Sequence, residues 1–185
     1  GEWLGITDFT VDETDREIIV TADRPYKFLY YDYNGNFLRE KTSEAFYTEI
    51  TRTTDNILAI NPKVLEPKHY LSLLNEEDHR ITVAKKIPLA FTYRGEFRCR
   101  GSYLLKSEHL YFTQNGDYTI YSWDNNRIKP VVTVDFGKYS YNPTQLNEEP
   151  HAPATRNKVL SIINVKEIRS NLFFNTNKIG LFVYN

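Results

Sequence analysis

Apolar and polar residues alternate over short stretches separated by turn residues, which is the pattern of β-strands joined by tight turns. The most informative stretch is Phe28-Leu-Tyr-Tyr-Asp-Tyr-Asn-Gly-Asn-Phe-Leu38. Strand side chains alternate between faces, so Phe28, Tyr30 and Asp32 share one face. Asn34-Gly35 is a strong hairpin signal and predicts a type I′ turn, with positive φ at both central residues. Phe37 and Leu38 open the return strand. The same order recurs at Leu110-Tyr-Phe-Thr-Gln-Asn-Gly-Asp-Tyr-Thr-Ile-Tyr-Ser-Trp123.

Four units follow from this pattern. The first, residues 6–45, holds strands at Glu17–Thr21, Lys27–Asp32 and Phe37–Lys41. Asp12-Glu-Thr-Asp15 is a polar turn before the first strand, and Asp23-Arg-Pro25 is a turn with φ set by proline. The second, residues 46–88, has strands at Phe46–Ile50, Asn56–Ile60, His69–Leu74 and Ile81–Ile87. The spacing of Leu71, Leu73 and Leu74 also fits one helical turn. The third, residues 89–138, contains Phe97–Arg100, Tyr103–Leu105, His109–Thr113 and Tyr118–Trp123, then an outer strand from Pro130 to Phe136. The stretch 139–157 carries Pro143, Pro150 and Pro153 and few apolar residues, so it reads as a long loop, of a length usually functional or mobile. Residues 158–185 begin a fourth unit with Val159–Ile168, Leu172–Phe174 and Leu181–Tyr184. A period of about 40–50 residues, each with three or four short strands, is that of a β-propeller blade. No segment sustains helical apolar spacing, which argues against α/β folds.

Composition supports this reading. The 185 residues include 14 Tyr and 11 Phe, side chains that pack well on pleated sheets. A net charge of −1 with mixed signs supplies no field to attract nucleic acid or an acidic membrane surface. No run of apolar residues is long enough to span a bilayer as a helix. The one cysteine, Cys99, forms no internal disulfide. It reads as a small strand residue. Its arginine neighbours would favour a thiolate, but no motif pairs it with a base. There is no methionine and no signal segment, which suggests a chain whose front has been removed.

Each candidate for chemistry competes with a plainer role. Asp135-Phe-Gly137 copies a kinase magnesium motif without the catalytic loop or phosphate loop, so it reads as a strand end closed by glycine. Trp123-Asp124 copies the WD dipeptide without recurring and reads as a core Trp and a turn Asp. Asp32-Tyr-Asn-Gly-Asn36 lacks the glycine and glutamate positions of a calcium loop. Asp12, Glu13 and Asp15 form a solvated turn rather than an ion site. His69, His79, His109 and His151 show no paired metal spacing. Glu66, Glu76, Glu77, Asp78, Glu148 and Glu149 are too many, in too polar a setting, to single out a glycosidase pair. No catalytic residue, metal or cofactor is assigned. Tyr139 and Tyr141, beside the long loop, are the aromatics best placed to stack on a ligand such as a sugar ring.

Three stretches carry a family resemblance. They are Tyr30-Tyr-Asp-Tyr-Asn-Gly-Asn-Phe-Leu38, Asp117-Tyr-Thr-Ile-Tyr121 and Pro130-Val-Val-Thr-Val-Asp-Phe-Gly-Lys138. In this order they resemble the blade hairpin, inner strand and outer strand of six-bladed β-propeller proteins of Bacteroides-type bacteria, relatives of NHL and TolB-like propellers. Val131, Val132 and Val134 stand where that family usually mixes aromatic and aliphatic residues. The resemblance implies an all-β fold of antiparallel four-stranded blades, with about three and a half of six blades here and a closed four-bladed ring as the alternative. It further implies a lipoprotein-type signal and a periplasmic or cell-surface location. The function expected is a non-catalytic extracytoplasmic binding or scaffolding module for a glycan or an envelope protein. Two alternatives stand: a polysaccharide-active hydrolase or lyase, and a structural protein that pairs through an open blade edge.

Overall fold

The computed structural model describes residues 4–60, 71–87, 103–107, 109–114, 116–124, 127–141, 157–178 and 180–184. The readings made at Glu66, His69, Phe97–Arg100, Asn115, Glu148, Glu149 and His151 lie outside these residues, as does most of the 139–157 loop. The chain divides into two compact units, Gly1–Thr92 and Tyr93–Asn185. Regular structure among the described residues is strand, apart from one 3-10 turn at Gly137–Tyr139.

The first unit holds two antiparallel meanders. One is β1 (Ile6–Asp12), β2 (Glu17–Asp23), β3 (Tyr26–Asp32) and β4 (Phe37–Ser43). The other is β5 (Glu49–Arg52), β6 (Ile57–Ile60), β7 (Leu71–Glu76) and β8 (Arg80–Ile87). The strand order is β1-β2-β3-β4-β8-β7-β6-β5. A short parallel pairing of β4 with β8, Thr42 opposite Arg80 and Ser43 opposite Ile81, joins the meanders. At the other end β1 and β5 run side by side without a ladder. Side chains make the join instead. Asp8 Oδ2 accepts from the Ile50 amide (2.8 Å), and Thr10 Oγ1 from the Arg52 amide (3.1 Å). Thr7 Oγ1 donates to the Tyr47 carbonyl (2.9 Å). The sheet thus nearly closes on itself. Register places Ile19 opposite Tyr30, and Thr21 opposite Phe28, on the enclosed face. There they pack with Tyr47, Ile50, Ile57, Ala59, Leu74 and Ile81.

Three local expectations change. Ile6–Asp12 is a strand, so Asp12–Asp15 is the turn between β1 and β2 rather than a lead-in. The Asn34-Gly35 hairpin is not type I′. The Gly35 amide donates to the Asp32 carbonyl, which makes Tyr33 and Asn34 the central pair, and neither has positive φ. Gly35 follows at φ 82°, the left-handed position after a type I turn that gives a three-residue hairpin loop. The cause is Asp32, whose Oδ1 accepts from the Asn34 (2.9 Å) and Asn36 (2.8 Å) amides and rewards the tighter curl. Leu71, Leu73 and Leu74 lie on a strand, not a helical turn. β6 and the first four residues of β7 are buried at every position, so apart from the buried Ser72 they show no polar positions marking a solvent face.

The second unit repeats the construction. β9 (Leu104–Lys106), β10 (Leu110–Phe112), β11 (Thr119–Asp124) and β12 (Arg127–Thr133) form a meander. Pro130 lies within edge strand β12, opposite Tyr121, where the register shifts and a ladder donor is dispensable. β13 (Ile162–Ile168), β14 (Asn171–Thr176) and β15 (Leu181–Tyr184) form a three-stranded sheet. Its bulge between Ile163 and Lys166 contains Asn164 at φ 55°. Tyr111, Ile120, Ile162, Val165, Leu172 and Phe174 make the core between the two sheets, flanked by Tyr118, Val132, Val134 and Phe136. Side chains again bridge the sheets. Thr113 Oγ1 donates to the Ile162 carbonyl (2.7 Å), and Ser107 Oγ accepts from the Glu167 amide (3.3 Å).

Candidate functional site

The corner after β12 carries the aromatic pair singled out from the sequence. The Asp135 carboxylate accepts from the Gly137 amide (2.7 Å), and Gly137 takes φ 55° to begin the 3-10 turn. The Tyr139 and Ser140 amides then donate to the Phe136 and Gly137 carbonyls (3.0 Å each). Phe136 anchors the corner from below, edge-on to Tyr118 (5.1 Å) and to Phe182 (5.8 Å). The kinase-like Asp-Phe-Gly is therefore a turn cap, an aromatic packed against the core and a left-handed turn glycine.

The return chain fastens the corner on its far side. The Val159 amide donates to the Tyr139 carbonyl (2.8 Å), and Ser140 forms a parallel bridge with Val159. The Tyr118 hydroxyl donates to the Val159 carbonyl (2.5 Å) and accepts from the Tyr141 amide (2.5 Å). Burial raises the Tyr118 hydroxyl above its ordinary pKa, which keeps it protonated for this donation. Lys158 Nζ caps the Lys138 carbonyl (2.7 Å).

The two tyrosines have different fates. Tyr139 is half exposed, with Lys138 Nζ 5.2 Å from its ring centre. Tyr141 is buried. The 3-10 turn ending at Tyr139 and the return to extended chain at Ser140 break the alternation that would otherwise keep positions 139 and 141 on one face. At this corner Tyr139 is the outward ring, set beside the Lys138 ammonium on a frame held by main-chain hydrogen bonds. An exposed phenol ring can stack on the C–H face of a sugar or on an apolar side chain, and the neighbouring lysine can donate to oxygens of the same ligand.

A second polar cluster sits in the first unit, at the ends of β1, β3, β4, β5 and β7. The Arg52 guanidinium bridges Asp12 (2.7 Å) and Glu76 (2.5 Å). Glu76 also takes the Tyr30 hydroxyl and lies 3.6 Å from Lys41 Nζ. Arg39 grips Glu17 with both nitrogens (2.6 and 2.7 Å) and stacks over the Tyr30 ring at 4.1 Å. Burial pushes the Tyr30 hydroxyl far above its ordinary value, and the Glu76 hydrogen bond adds to this. Burial alone would raise Glu76, but Tyr30, Arg52 and Lys41 together hold it below the usual carboxylate range. Every acid here has a cationic partner, so the cluster is a saturated lock between meanders. It leaves no raised acid beside a free base, the pairing that acid–base work needs.

Outside this cluster, Glu77 and His109 have partners of their own. Glu77 faces outward to Arg80 (2.6 Å) and Thr82 (3.1 Å), away from its neighbour Glu76. His109 Nδ1 meets Glu167 (2.7 Å), to which the Tyr111 hydroxyl also donates (3.1 Å). Ser107 Oγ bonds main-chain groups of His109 and Glu167, not the imidazole, so these residues do not form a nucleophilic relay. Among the described residues no three His, Cys, Asp or Glu side chains converge as metal ligands. The sequence reading missed the Arg52 cluster. Its signal was available: Arg39 and Lys41 share a strand face with the core residues Phe28 and Tyr30 opposite them.

Comparison with known proteins fits this geometry. A Bacteroides fragilis protein described as exported has the same fold, at 17% identity and a TM-score of 0.74. The match covers all of this chain and 57% of that one, so the chain spans little more than half its length. BamB from Moraxella catarrhalis, a β-propeller, matches at 12% identity and a TM-score of 0.53, over 97% of this chain and 46% of its own. The computationally designed protein Ika4 matches at 9% identity and a TM-score of 0.52, over 100% and 92%. These likenesses, with the nearly closed sheet, make the fold propeller-like. No curated protein matches. No helix among the described residues is long and apolar enough to cross a membrane. Residues 1–185 match one family profile in full, and the chain belongs to the domain-of-unknown-function family DUF4934.

Proposed function

We propose that this chain is a non-catalytic, extracytoplasmic binding module, with Tyr139 as its contact platform and Tyr141 as the buried support of the same corner. The meanders act as successive blades at residues 6–45, 46–88, 89–138 and 158–185, in a propeller of the six-bladed type of which this chain is a part. The export of the Bacteroides fragilis protein of like fold supports a periplasmic or cell-surface location, with a lipoprotein anchor as the means. The partner is a glycan or an envelope protein. The observation that carries the reading is the exposed Tyr139 ring on a corner whose main chain is tied down on both sides. Rigid frames with exposed aromatics bind at low ordering cost. The saturation of the acids around Arg52 argues against the hydrolase alternative.

A glycan-array screen of the protein, repeated with Tyr139→Ala, tests the reading. Binding that disappears in the variant while its melting temperature is unchanged supports it. Binding that survives Tyr139→Ala removes Tyr139 from the site. Hydrolysis or eliminative cleavage of an arrayed glycan replaces the binding reading with the enzyme one.

A further inference from the structure

The meander β13–β15 has three strands, where β1–β4, β5–β8 and β9–β12 each have four. Its last strand, β15, reads Leu-Phe-Val-Tyr and is exposed at every position. Leu172 and Phe174 on β14 are buried, yet Tyr184 and Phe182, opposite them on the same face, are 48% and 37% exposed. The Phe182 ring stacks on Phe174 (5.3 Å) and meets Phe136 edge-on (5.8 Å), so the core reaches β15 and is left uncovered there. On the other face Val183 and Leu181 are 53% and 67% exposed. Among the described residues no strand pairs with the outer side of β15. The fourth strands of the other meanders are built to be last. β4 carries Arg39, Glu40 and Lys41, β8 carries Lys85 and Lys86, and β12 carries Arg127, Lys129 and Pro130. Charge and proline on an outer strand discourage further pairing, and β15 has neither. A bare apolar edge, with its outward amides and carbonyls unpaired, is a template for one more strand.

We infer that the outer edge of β15 is a docking surface for one extended strand, the fourth of this meander, which the same polypeptide contributes from outside residues 1–185. This rests on the reading of the chain as part of a longer propeller. Two observations select that occupant. In each four-stranded meander the third strand turns back into the fourth through a short hairpin, so the partner of a third strand is its own continuation. The exported Bacteroides fragilis protein of like fold extends well beyond the match, which covers 57% of it. The docked strand runs antiparallel to β15, sets apolar side chains beside Phe182 and Tyr184, and carries charge toward solvent as β4, β8 and β12 do.

Hydrogen exchange read by mass spectrometry tests this on the 185-residue protein and on the intact polypeptide that contains it. In the 185-residue protein about half the amides of Leu181–Tyr184, those turned away from β14, should exchange as fast as in a free peptide. In the intact polypeptide the same amides should slow by about a hundredfold or more. Slow exchange already in the 185-residue protein overturns the inference, because the edge is then covered from within. Fast exchange in both forms overturns it too, because nothing then covers the edge. The readings it builds on are checked separately: binding at the corner by Tyr139→Ala on the glycan array, and the propeller by the small-angle scattering shape of the intact polypeptide, which does not depend on which strand lies against β15.

Discussion

Arg52 offers the sharpest test of how the first unit is held together. Its guanidinium joins Asp12, whose side chain is 4% exposed, to Glu76, which is 19% exposed. Arg52→Met keeps the apolar stem and removes the charge. Asp12 keeps only the Thr14 (3.0 Å) and Asp15 (3.1 Å) amides, and Glu76 keeps Tyr30 and Lys41. Removing one partner of a fully buried ion pair costs about 3–5 kcal/mol. The surviving hydrogen bonds put this case lower, at about 2–3 kcal/mol. For a protein of this size that is a fall of roughly 4–12 °C in melting temperature. The pH dependence adds an internal control. Glu76 sits below its ordinary pKa when folded, so its stabilisation is present above the unfolded value of about 4.3 and is lost as pH falls through the folded value. The gap between parent and variant should therefore be full at pH 7 and shrink below about pH 4. Thermal melts by circular dichroism from pH 3 to 8 measure both. A gap under about 0.5 kcal/mol at pH 7, as for an exposed pair, refutes the lock; so does a gap that does not change with pH.

Other outcomes follow from the same contacts. Tyr118→Phe removes the hydroxyl that serves Val159 and Tyr141; it should cost about 1–3 kcal/mol and speed hydrogen exchange of the Tyr141 amide, and unchanged exchange would show that the hydroxyl does not hold the corner. Gly35→Val forces a β-branched residue to φ 82° with no steric contact to blame, so a loss of about 1–2 kcal/mol isolates the backbone term, and a neutral result means the turn has changed type. Tyr30 is raised far above its ordinary value, and Tyr47 and Tyr121 are pushed up to about 12, each chiefly by burial. Their stabilising effect is complete below the unfolded value of about 10 and is lost as pH rises beyond it, so ultraviolet titration should show a late tyrosine class that ionises with unfolding; a single smooth titration near 10 contradicts this.

Much of the fold was legible because strand pairing here is local. Asp32-Tyr-Asn-Gly-Asn36 announces its hairpin, and Glu17–Asp23 and Tyr26–Asp32 alternate as a half-enclosed sheet must. The turn geometry was less legible, since the Asp32 carboxylate chose between two hairpins that the Asn-Gly pair alone permits. β7 was ambiguous for the opposite reason: its first four residues are all buried, so Leu71, Leu73 and Leu74 show no solvent face to mark the period.

By itself the sequence determined most of the strands and the meander grammar, because each depends on neighbours within a few residues; it did not mark β1 (Ile6–Asp12). Tertiary structure decided the rest. It closed the first sheet through Thr7, Asp8 and Thr10 on β1, which reach main-chain groups some forty positions away. It gathered Asp12, Tyr30, Lys41, Arg52 and Glu76 into one lock from five strands. It also turned Tyr139 outward and Tyr141 inward. Short-range alternation encodes which side chains share a face, but only the packing of one sheet on another decides which face meets water.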